Sequence, residues 1–127
     1  MAKLSIRIDL EPLGAVGPGK VRLLELIGET GSISAAGRAM TMSYRRAWLL
    51  VDALNHLFKE PLVTTKLGGK AGGGAALTPF GREVVRHYRV LEKEAHDAGK
   101  AHLRALDAAM AKQRLPPRIR SDIAHSD

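Results

Sequence analysis

Apolar residues recur along this chain in two rhythms, and the switches between them mark its elements. Over Lys3 to Leu10, the apolar Leu4, Ile6, Ile8 and Leu10 alternate with polar neighbours, the period of a half-buried strand. Pro12 ends it, and Gly14, Gly17, Pro18 and Gly19 predict a loop. From Lys20 to Thr30 the spacing becomes helical through Val21, Leu23, Leu24, Leu26 and Ile27, with Gly31 suited to the stop. Ser32 is a suitable N-cap for a second, short helix over Ile33 to Met40, since its hydroxyl can accept from an orphan backbone N–H. After a tight connection at Thr41-Met42, Ser43 offers the cap of a third helix. That helix buries Ala47, Leu50, Val51, Leu54 and Leu57 at i, i+3, i+4, i+7 spacing. At about 100° per residue, Arg45, Leu49, Asp52 and His56 point away from the stripe, with Tyr44 and Arg46 on its flanks.

Two readings of Gly31 to Leu57 remain open on periodicity alone. One is an amphipathic helical pair inside an ordinary α-helical domain. The other is a helix-turn-helix whose second helix offers two arginines, a tyrosine and a serine from its first turn to DNA base edges. The chain beyond Leu57 favours the second. Phe58 to Pro61 breaks the pattern, Leu62 to Leu67 is rich in β-formers, GGKAGGGA comes next, and Ala76 to Thr78 predicts a return strand. A β-hairpin directly after a recognition helix occupies the position of a wing. Its glycines allow close approach to a sugar-phosphate backbone, and Lys66 and Lys70 bring charge for phosphates.

Thr78-Pro79 is a strong helix start. The helix it opens is expected to run from Pro79 to about Met110, with Val84, Tyr88, Leu91, Ala95, Ala98 and His102 at alternating four- and three-residue steps. That heptad-like spacing suits a two-helix seam, so these residues are the expected homodimer interface. From Gln113 the periodicity stops, and a disordered tail is expected. The fold class is therefore mostly α with a small β-hairpin, a winged helix-turn-helix over 1–78, a long dimerisation helix over 79–112 and a tail over 113–127.

Composition narrows the function classes. The chain of 127 residues has the length of one domain, and no cysteine, which excludes a disulfide scaffold and thiolate metal sites. Its net charge of +7 raises the prospect of a polyanionic partner. No N-terminal run is apolar enough for a signal peptide or a membrane span, so a cytoplasmic protein with no membrane partner is expected. The glycine run lacks the Gly-Lys-Ser/Thr ending of a nucleotide-binding loop and sits in no βαβ unit. Glu83/His87 and Glu92/His96 are i, i+4 pairs on one helix but gain no converging ligands, and the serines lie in no nucleophile elbow. No catalytic residue, metal or cofactor is expected, and the protein is not expected to be an enzyme.

With these elements in place, four blocks resemble one family. They are GSIS, then SYRRAW, then GGKAGGG, then LTPFG, in that order over residues 19 to about 110. The pattern is similar to the N-terminal DNA-binding domain of ModE, the molybdate-responsive transcription regulators. LysR-type regulators share a related opening but lack the Ser-Tyr…Ala-Trp block and the polyglycine wing. The resemblance implies a homodimer binding an inverted repeat in double-stranded DNA and regulating the adjacent promoter, with molybdenum or another oxyanion as the metabolic context. It implies DNA contacts from Ser43, Tyr44, Arg45 and Arg46, from Lys70 in the wing at Gly68 to Ala75, and from Ser32 and Ser34 as caps of the second helix near the backbone. Trp48 is expected to pack under the recognition helix. Thr41 stands where the family turn has glycine, which implies a changed turn or a phosphate contact by Thr41. The family's C-terminal molybdate-binding domain is absent from these residues, so direct molybdate binding by this chain is not expected. The alternatives are a protein-interaction module acting through the long helix, or an effector-sensing accessory regulator, that works through a partner and binds DNA only weakly, and a small oxyanion sensor with its site at the dimer interface, using basic residues such as Arg82, Arg86 and Arg89.

Overall fold

The computed structural model describes residues 1–66 and 74–111. The expected β-period is visible at once: Leu4, Ile6, Ile8 and Leu10 are each half-buried and their odd-numbered neighbours exposed. Only Ile8–Leu10 forms a strand, β1, and it pairs antiparallel with β2, Gly14–Val16. The stretch expected as a loop after Pro12 thus contains a strand, and the described residues form two hairpins where the sequence predicted one. Three residues with a single buried side chain, Val16, are too short to show a period, so the pairing partner decides the element.

Helices α1 (Pro18–Thr30), α2 (Ile33–Ala39) and α3 (Tyr44–Asn55) come next. Leu23, Leu24 and Ile27 of α1 meet Ile33 and Ala36 of α2 and Ala47, Val51 and Leu54 of α3 in one core. Both predicted caps are made: Ser32 Oγ accepts from Ala35 N at 3.0 Å and Ser43 Oγ from Arg46 N at 3.1 Å. Helix α1 ends on Gly31, whose φ of 72° is left-handed and whose N–H donates to Ile27 O.

The α2–α3 turn explains the departure at Thr41. Its φ is 54°, its N–H donates to Arg38 O, and Met42 N–H donates to Gly37 O, both at 3.0 Å. These are the paired bonds of a Schellman stop, which wants glycine at the left-handed position, and a β-branched residue there is strained. Thr41→Gly is therefore expected to stabilise the domain by about 1 kcal/mol, raising Tm by about 4–8 °C. An unchanged or lowered Tm in a thermal melt would show that the threonine side chain offsets its own strain.

The wing consists of β3 (Val63–Lys66) and β4 (Gly74–Leu77), with Val63 opposite Leu77 and Lys66 opposite Gly74. Gly74 and Ala75, expected in the tip, are ladder residues instead, because the backbone pairing continues where side chains give no signal. Lys70 lies outside the described residues, as does the stretch expected to be a tail.

After the wing, α4 covers Pro79–Ala98 and a separate helix, α5, covers Lys100–Ala108. The single helix to Met110 is thus corrected. Gly99 interrupts it, consistent with glycine's low helix propensity. Among the described residues, 4–98 form one unit, and 1–3 with 99–111 belong to another. Within the first, Tyr88 is 1% exposed and its hydroxyl donates to Ile6 O at 2.8 Å. Burial pushes its phenol pKa up. In α5 no side chain is buried, and Leu106 is among its exposed apolar residues.

Candidate nucleic-acid interface

Helix α3 places its side chains as its period dictates. Ala47, Val51 and Leu54 are buried, while Tyr44, Arg45, Arg46, Trp48 and Leu49 are exposed. Its first turn contains no acid, and among the described residues no carboxylate pairs with Arg45 or Arg46. The nearest acid on the helix, Asp52, lies beyond those turns, with His56 Nδ1 3.7 Å from its carboxylate. Arg45 and Arg46 are thus left to solvent at the amino end of the helix. Arg46 also lines a shallow depression with Arg7, Lys20 and Met42 beside the start of α1. Arg7 and Lys20 were not singled out from the sequence; only the packing of β1–β2 beside α1 brings them there.

Other predicted residues have definite neighbours. Ser32 is a cap, but Ser34 is not: it lies inside the first turn of α2, where its Oγ accepts from Arg38 at 3.0 Å. Arg38 is an exposed cation beside the turn, a residue not singled out from the sequence. Thr41 is exposed at that turn. Lys66 is exposed at the last described position of β3. Trp48 was expected beneath α3 and instead is 36% exposed, its ring 6.2 Å from that of Tyr44 in an edge-on pair. The reason is angular: it lies about 100° around the helix from Ala47, outside the buried stripe.

The wing is held against α3 and α1 by polar contacts. Asn55 Oδ1 accepts from Leu62 N at 2.8 Å and Val63 N at 3.1 Å, and its Nδ2 donates to Val63 O at 3.0 Å. Ala75 N donates to Gly31 O at 2.9 Å, tying β4 to the end of α1. Thr78 Oγ1 donates to Pro61 O and accepts from Gly81 N, each at 2.8 Å, which caps α4 and fixes the wing's base.

The expected seam residues divide. Val84 is half-buried and Leu91 is 46% exposed, and both line an apolar groove of about 310 Å³ between the β1–β2 hairpin and α4, with Ile8, Leu10, Phe58 and Phe80. Ala95 is half-buried and Ala98 exposed. Tyr88 is corrected: its ring fills the domain's own core, so it is not free to meet a second chain. His102 lies past the interruption, exposed on α5.

Of the three arginines considered for an effector, Arg89 is engaged by Glu25 at 2.9 Å and Glu92 at 2.9 Å. Its hydrogen bonds hold the Glu25 carboxyl below the usual carboxylate range, and Glu25 in turn raises the guanidinium's own pKa. Arg82 donates to Leu77 O, and Arg86 stands 3.9 Å from Glu83. Among the described residues no three His, Asp or Glu side chains gather as metal ligands, and no helix is long and apolar enough to cross a membrane.

Helix, helix-turn-helix, two-stranded wing and following helix define the winged helix-turn-helix class, with a small extra hairpin at its amino end. No protein-family model matches the chain. The molybdenum-pterin-binding protein MopB of Rhodobacter capsulatus is 51% identical over 86 residues, 67% of this chain and 32% of MopB. The DNA-binding transcriptional dual regulator ModE of Escherichia coli K12 is 33% identical over 90 residues, 71% of this chain and 34% of ModE. A solved LysR family transcriptional regulator is similar at a TM-score of 0.49 and 18% identity, over 65% of this chain and 27% of that one. The chain spans about a third of the length of these two sequence relatives. Its winged helix is of the ModE type, homologous to the ModE and Mop proteins over that stretch.

Proposed function

We propose that this chain is a sequence-specific DNA-binding transcription regulator of the ModE kind, acting as a homodimer on an inverted repeat. The observation that carries the reading is the amino end of α3: two arginines without carboxylate partners, on a capped helix, beside a braced wing. Arginine reads guanine O6 and N7 with two parallel hydrogen bonds, so Arg45 on the outer face is assigned to a base edge. Tyr44 and Ser43 lie beside it. Arg46, with Lys20 and Arg7 across the same depression, is assigned to phosphates, as are Ser32, Ser34, Thr41, Lys66 and Lys70. Val84 and Leu91 beside the apolar groove, continued by Ala95 and Ala98, are the surface offered to a second copy, and His102 on α5 is assigned to the same interface. The names of the relatives support a regulon concerned with molybdenum.

Fluorescence anisotropy tests the reading, with a duplex enriched from a randomised pool, random duplex as control and two salt concentrations. Arg45→Ala is expected to cost about 1–3 kcal/mol on the enriched duplex and to relax preference at one base step. Lys66→Ala should weaken all duplexes alike and reduce the salt slope by about 0.9. Sedimentation of the bound complex should give two chains per duplex. Weak, salt-labile and indiscriminate binding by the wild-type chain would sink the proposal in favour of an interaction module working through a partner.

A further inference from the structure

The exposed face of α3 carries more apolar surface than phosphate contacts can use. Leu49 and Tyr44 are each 58% exposed and Trp48 is 36% exposed, all within the first two turns. Tyr44 and Trp48 share one flank, and Asn55, seven residues beyond Trp48, lies on that same flank and grips β3. Leu49 is on the outermost face, one turn past Arg45. Water-facing leucine in this setting contributes nothing to the fold, because the buried stripe is already complete at Ala47, Val51 and Leu54.

The surroundings of the strip favour one kind of covering surface. The strip is bracketed by Arg45 and Arg46, and no acid occurs in the first turn. The cations stand on the amino side of the strip, while Asp52, 3.7 Å from His56 Nδ1, follows Leu49 about one turn further along. An apolar strip that begins between two cations suits a polyanion that itself displays an apolar group. In the major groove, one base edge does so: the C5-methyl of thymine. We propose that Leu49, supported on its flank by the Tyr44–Trp48 pair, recognises a thymine methyl near the base that Arg45 engages. The four-residue step from Arg45 to Leu49 is about 6 Å along the helix. Stacked bases are about 3.4 Å apart, so the methyl belongs one or two base pairs from the Arg45 contact. This makes Leu49 a specificity-determining residue, and it rests on the DNA-binding reading above.

The test uses the whole 127-residue chain and a duplex enriched by it from a randomised pool. Each thymine is replaced singly by deoxyuridine, which deletes the methyl and leaves every hydrogen-bonding group. The wild-type chain is expected to lose about three- to tenfold in affinity at one position per half-site. Leu49→Ala should bind the thymine duplex more weakly and respond to that same replacement by less than about twofold. If the wild-type chain discriminates its duplex from random DNA but no deoxyuridine weakens it, the inference is overturned and the strip belongs to a protein partner. It is equally overturned if Leu49→Ala keeps the full thymine preference. Failure to enrich any duplex would instead remove the DNA-binding reading itself, and this inference with it.

Discussion

Gly81→Ala is expected to destabilise the domain by about 3 kcal/mol, lowering Tm by more than about 10 °C. A Cβ at position 81 would overlap the Leu62 carbonyl oxygen and sit 3.0 Å from its carbon. The obstacle is backbone, so no side-chain rotation relieves it. That oxygen also accepts from Thr78 N at 2.9 Å, and the adjacent Pro61 O accepts from Thr78 Oγ1. Displacing Leu62 therefore strains the base of the wing and the cap of α4 together, adding a hydrogen-bond loss of about 1 kcal/mol to the steric cost. Leu62 is fully buried, which leaves it little room to retreat. The control is Gly19→Ala, where an added methyl meets open space within helix α1 and Tm should hold or rise. Equal melting of the Gly81 and Gly19 variants would refute the close approach of α4 to the wing.

The second large effect is expected at Asn55. Truncation to alanine removes the acceptor for two backbone N–H groups and the donor to Val63 O, and Leu62 and Val63 are both buried. Unsatisfied buried groups cost about 1–3 kcal/mol each, with water restoring part of this at the half-buried Asn55, so a net loss of about 2–4 kcal/mol is expected. Asn55→Asp keeps the shared acceptor but loses the donor and should fall between alanine and wild type. Amide hydrogen exchange separates a local role from a general one. In Asn55→Ala the Leu62 and Val63 amides should exchange faster than the core amides of α1 after both are normalised to global stability. The DNA salt slope should also fall, because Lys66 lies further along the freed strand. Exchange at Leu62 and Val63 that merely tracks global unfolding would mean that Asn55 does not hold the wing.

Much of this architecture is legible from the chain because its signals are local. Three apolar stripes at helical spacing, two serine caps and Thr78-Pro79 each depend on neighbours within one or two turns, and the structure forms each of them. The exposure of Arg45 and Leu49 arises from the same 3.6-residue period. The seam pattern on α4 misled at Tyr88, since periodicity says which residues share a face but not what covers that face. In this domain the chain segment at Ile6 covers it.

The sequence by itself determined the order of helices, their caps, the hairpin after the third helix and the basic, acid-free start of that helix. It also carried the resemblance to ModE, because block order and spacing are properties of the chain. Tertiary structure alone decided the pairing of β1 with β2, the contribution of Arg7 and Lys20 to the depression beside Arg46, and the clamp from Asn55 to the wing. These involve partners on different elements, and their energies depend on distance and burial in space, quantities that spacing along one element does not contain.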